Sequence, residues 1–78
     1  DYMILHTENK KYIIHSTMKN LEKKLPPNEF MRIHRSYIVH LPKIEFIEDM
    51  TVYMNQKQMQ IPIGASYKSE FLTRLNML

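Results

Sequence analysis

Apolar residues in this chain come mostly in short runs of β-branched and aromatic side chains, each ended by a polar cluster. That pattern restricts the fold to strands of a few residues with tight connections. Tyr2-Met3-Ile4-Leu5-His6 and Lys11-Tyr12-Ile13-Ile14-His15 are two such runs, and Thr7-Glu8-Asn9-Lys10 between them reads as a hairpin turn. Phe30 to Ile33 returns to strand chemistry, which Ser36-Tyr37-Ile38-Val39-His40 continues or bends into a single turn. Ile44-Glu45-Phe46-Ile47, Thr51-Val52-Tyr53-Met54 and Met59-Gln60-Ile61-Pro62-Ile63 complete the series, with turns at Glu48-Asp49 and at Asn55-Gln56-Lys57-Gln58. Pro62 has no N–H, so its strand belongs at an edge. Met59, Ile61 and Ile63 alternate with Gln60 and Pro62, one face inward and one outward.

Two segments have helical spacing instead. Met18, Leu21 and Leu25 follow Ser16 or Thr17 as N-cap, with Lys19, Glu22, Lys23 and Lys24 on the other side. Pro26-Pro27 stops that helix, because a residue preceding proline is pushed out of the α region. Tyr67, Phe71, Leu72, Leu75 and Leu78 form the stripe of a last helix capped by Ser66. Gly64, the only glycine, stands at the handover from strand to helix, where a relaxed backbone is expected. The order is β-β-α-β-β-β-β-α in one mainly β, antiparallel domain over residues 1–78.

Composition narrows the chemistry. Seventy-eight residues with 44% hydrophobic content suffice for one modest core and one site. Eleven Lys+Arg against eight Asp+Glu give a net charge of +3, a mild excess that suits a polyanion without requiring one. The absence of Cys excludes disulfides, thiol nucleophiles and Cys-based zinc sites, and fits a reducing cytoplasm. No apolar run is long enough to span a bilayer. The four His residues lack metal-ligand spacing, and the seven Met residues are scattered, as core filler is. Ser36, His34 or His40 and Asp49 form a triad only by free choice, and one glycine leaves no phosphate-cradling loop. Neither catalysis, a cofactor nor a metal is expected.

The most distinctive stretch is Phe30-Met31-Arg32-Ile33-His34-Arg35-Ser36-Tyr37-Ile38-Val39-His40. It resembles the signature of LytTR domains, the DNA-binding output domains of bacterial response regulators. The flanks are similar too: the Ser16 to Leu25 helix upstream, Leu41-Pro42-Lys43-Ile44 after it, and Ile61-Pro62-Ile63-Gly64-Ala65-Ser66-Tyr67-Lys68 before the last helix. The family usually has Asn at the position of His40 and a polar, Ser-Arg-like pair at Gly64-Ala65; its first strand is mostly missing before Tyr2.

The resemblance implies an elongated β domain that reads double-stranded DNA in the major groove through loops. It also implies repeated sites, possible pairing of copies on DNA, and a receiver or sensor domain N-terminal in the parent chain. Candidate DNA-binding residues are Arg32, His34, Arg35, Ser36, Lys43, Ala65, Ser66 and Lys68. Arg35 is the expected base reader, because a two-pronged guanine contact needs Arg on a loop. Arg32, Lys43 and Lys68 suit phosphates, Ser36 and Ser66 donate short hydrogen bonds, and Ala65 offers its backbone or a methyl contact. The N-terminal turn of the last helix adds N–H groups for an anion. His34 is expected to orient its neighbours. Taken alone, Arg32 and Arg35 would pair with Glu29, Glu45 or Glu48 on a solvated surface. A protein-interaction module without specific DNA binding is the alternative. Pro26-Pro27, with no helix after them, argue against a helix-turn-helix reader.

Overall fold

The computed structural model describes residues 3–6 and 11–76. Seven strands and two helices follow one another as β1 (Met3–His6), β2 (Lys11–Ile14), α1 (Met18–Lys24), β3 (Phe30–His34), β4 (Tyr37–His40), β5 (Ile44–Glu48), β6 (Thr51–Met54), β7 (Met59–Pro62) and α2 (Lys68–Asn76). Single 3-10 turns at Leu41–Lys43 and Ala65–Tyr67 lead into β5 and α2. Every strand pair is antiparallel, in three separate sheets: β1-β2, β3-β4 and β5-β6-β7. The expected mainly β domain, with a short helix after the first hairpin and another at the C-terminal end, is what forms. The turn expected at 7–10 lies outside the described residues.

Thr17, not Ser16, caps α1: its side chain accepts a hydrogen bond from the Asn20 N–H at 3.1 Å. Pro26 follows Leu25, whose extended backbone ends the helix. The Met31 and Ile33 side chains of β3, Val39 of β4, Val52 and Met54 of β6, and Ile61 of β7 alternate into one core. Leu41, Ile63 and Phe71 complete it, and Ile33, Val52 and Phe71 are 0% exposed. β7 is an edge strand, as Pro62 requires, and Ile61 and Ile63 point inward while Gln60 and Pro62 face out. Of the methionines, Met31 and Met54 are core residues, whereas Met50 lies exposed in a turn.

Four local expectations need correction. The run from Phe30 to His40 is two strands, not one: residues 35–36 turn the chain back, and His34 pairs with Tyr37. The turn after β5 falls on Asp49 and Met50, both at positive φ (51° and 59°), one residue later than the polar pair Glu48-Asp49 suggested. Ser66 does not cap the last helix; it lies within the 3-10 turn, and Gly64 stands at the cap position without a side-chain bond. Leu72 is exposed, because one residue along a helix from the buried Phe71 rotates it away from the core.

Candidate nucleic-acid interface

The β3-β4 hairpin carries the densest group of candidate residues. Its loop is two residues long, Arg35 and Ser36, and neither has positive φ. Two-residue hairpin loops favour types I′ and II′, whose positive φ matches the strand twist; other turns splay the strands. This turn is held instead by side chains and by a register shift in β3. Arg32 pairs with Ile38 and His34 with Tyr37, so Ile33 is bulged. Its side chain stays in the core, and its carbonyl accepts the Gly64 N–H at 2.7 Å.

Arg32 lies under the turn. Its Nε donates to the His34 carbonyl at 3.2 Å and its Nη2 to the Arg35 carbonyl at 2.5 Å. Nη1 stands 3.6 Å from Glu22 Oε1, and the guanidinium carbon sits 5.9 Å from the Tyr67 ring centroid. The His34 ring accepts the Ser36 N–H at Nδ1 (3.1 Å) and lies against Tyr37, centroids 5.2 Å apart. The orienting role expected of His34 thus has a concrete geometry, in which Nδ1 is the acceptor.

Arg35 and Ser36 are exposed on this braced loop, and the Arg35 guanidinium has no ion-pair partner among the described residues. Beside them runs the 64–68 segment, since the Gly64 bond to Ile33 and the packing of β3 on Ala65–Tyr67 hold it there. Ala65, Ser66 and Lys68 are all exposed. The fold therefore gathers seven of the eight candidates, Arg32, His34, Arg35, Ser36, Ala65, Ser66 and Lys68, at one end of the hairpin. Lys43 is apart, exposed in the 3-10 turn after β4. The four residues of β4 and the first two of the 3-10 turn separate it from the loop.

The carboxylates are distributed differently from the expectation. Arg32 pairs with Glu22 of α1, a partner that local sequence did not suggest. Glu29 instead meets His40 Nε2 at 3.3 Å, with the His40 ring stacked on Phe30 at 4.5 Å. Glu45 accepts the N–H groups of Gln56 (2.8 Å) and Lys57 (3.3 Å). Tyr67, read as part of a helix stripe, proves to be the ring under Arg32. Among the described residues no three His, Asp or Glu side chains are grouped to hold a metal ion, and no helix is long and apolar enough to cross a membrane.

The β3-β4 turn thus holds an arginine and a serine outward, next to a second polar segment. Residues 1–76 match the family described as the LytTr DNA-binding domain. The chain belongs to that family, so its general function is DNA binding and it is not an enzyme. It is similar to the transcriptional regulatory protein LytR of Staphylococcus aureus (strain N315), 32% identical over 80 residues that cover 95% of this chain and 32% of the relative. It is also similar to the sensory transduction protein LytT of Bacillus anthracis, 35% identical over 68 residues covering 82% of this chain and 28% of the relative. The chain thus spans about a third of the length of these relatives. No solved structure matches significantly.

Proposed function

We propose that the domain binds double-stranded DNA sequence-specifically, with the 35–36 loop and the 64–68 segment entering the major groove. On this reading it is the output domain of a bacterial, cytoplasmic transcriptional regulator whose parent chain carries a receiver or sensor domain. The observation that carries it is the position of Arg35: a long cation with no ion-pair partner among the described residues, on a two-residue loop braced by Arg32 and His34, with the 64–68 segment tied to the same hairpin by the Gly64–Ile33 bond. A guanidinium held that way can approach the O6 and N7 acceptors of guanine together. Lys43 stands beyond the opposite end of β4 from the loop. One end can reach base edges while the other sits on flanking phosphate. The longest dimension of the domain, 32 Å, is close to one DNA turn of about 34 Å, so repeats a turn apart are suited to one copy each.

Fluorescence anisotropy against a labelled duplex of randomised sequence, titrated with salt, tests the electrostatic half of the reading. Affinity should fall linearly in log–log form, with a slope of about −0.9 for each neutralised phosphate. Lys43→Ala should flatten that slope by about one phosphate and weaken all duplexes alike. No duplex binding even at low salt would favour a protein-interaction module instead.

A further inference from the structure

Arg32 is a cation that the hairpin holds in place. It is a charged side chain on β3, only 20% exposed, and its guanidinium is engaged on every side. Two carbonyls of the turn, His34 and Arg35, take its Nε and Nη2; Glu22 of α1 faces Nη1; the Tyr67 ring of the neighbouring segment lies below. The turn it holds is of a kind less favoured in two-residue hairpins, since residues 35 and 36 both have negative φ. Its one other side-chain support is His34 Nδ1 on the Ser36 N–H.

We propose that Arg32 is a positioning residue that sets the site preference of Arg35, and is not itself a DNA contact. It rests on the reading that the 35–36 loop meets DNA. The guanidinium fixes the two peptide carbonyls from which Arg35 projects, and through Tyr67 it ties the loop to the 65–68 segment. Both exposed segments then present to the duplex as one surface. A lysine cannot replace it: an ammonium is a point donor and cannot hold two carbonyls and a carboxylate in a planar fork.

Two readouts test this, one of them without DNA. In the free chain, Arg32→Lys should speed amide hydrogen exchange of Ser36 about tenfold relative to the β5-β6 amides, with far-UV circular dichroism unchanged. An unchanged Ser36 rate would overturn the proposal whatever the DNA results. On DNA, the probes are a duplex enriched by the wild-type chain and a shuffled duplex of equal length. Arg32→Lys should cut the affinity ratio between them about tenfold while leaving the salt slope in place, and adding it to Arg35→Ala should lose no further preference. A slope reduced by about 0.9 would make Arg32 a phosphate contact and sink the positioning role.

Glu22→Ala, at an exposed helix position, covers the case in which Arg32→Lys does not fold. Releasing one side of the brace should lower the affinity ratio two- to threefold. If Arg32 touched DNA, freeing it from Glu22 would leave or raise that ratio. A wild-type chain that binds DNA but enriches no sequence would refute the base-reading role of Arg35, leaving the Ser36 exchange rate to judge the brace by itself.

Discussion

Gly64 adopts φ −68° and ψ 143°, an extended conformation open to any residue, so its backbone freedom is not what the position needs. What it needs is space: a Cβ there would stand 3.0 Å from Tyr67 Cδ2. Gly64→Ala would push the ring that lies under Arg32. A tolerated Gly→Ala change stabilises by about 0.4–1 kcal/mol through the unfolded chain, whereas a displaced ring costs about 0.5–1.5 kcal/mol. The two terms nearly offset, so the net effect is expected within about 1 kcal/mol of zero, measured by urea unfolding; a loss above about 2 kcal/mol would show that the ring cannot move. The sequence made the position conspicuous as the single glycine, but the reason lay in a ring three residues on. The same holds for Arg32. Its residue type was legible as a functional candidate, while its partners Glu22 and Tyr67 come from two other elements.

At the scale of elements, the loops divide into those that hold themselves and those that are held. Asp49 and Met50 take the positive φ angles of a I′-type hairpin, and their carbonyls accept from their own sheet: the Ile63 N–H on Met50 (2.9 Å) and the Thr51 hydroxyl on Asp49 (3.3 Å). The β6-β7 loop is different: Asn55, Gln56 and Lys57 all have positive φ, without a glycine among them. The Glu45 carboxylate, eleven residues before Gln56, accepts two of its N–H groups. Glu45→Ala should therefore accelerate exchange of the Gln56 and Lys57 amides and cost about 1 kcal/mol, below the roughly 1.5–3 kcal/mol of charged acceptors because the group is exposed. Unchanged exchange at those two amides would mean the loop closes by itself. The 55–58 turn was readable from its polar run. The clamp was not, because a carboxylate on a solvated strand face gives no local sign of a partner. Equally, the 35–36 turn was hidden. Arg-Ser carries no Gly, Asn or Pro, and the apolar pattern continues on both sides of it.

For the whole molecule, the mainly β character and the inward face of β7 followed from the apolar pattern, and the short chain leaves little stability to spare. Seventy-eight residues at about 0.05–0.15 kcal/mol each give a total of about 4–12 kcal/mol. Phe71 is 0% exposed and joins α2 to the core, so Phe71→Ala should remove about 3–5 kcal/mol and leave the domain marginal or unfolded. Leu72→Ala next to it, at a 43% exposed side chain, should change stability far less. Urea denaturation of the pair checks this, and comparable losses would mean that α2 packs through a different face. Whether loops braced by this β scaffold read DNA sequence is decided by selection from a randomised duplex pool. The retained fraction is sequenced for the wild-type chain and for Arg35→Ala. A short enriched motif is expected for the wild type and its loss in the variant, with salt-sensitive retention preserved. The same motif enriched by both chains would contradict that expectation.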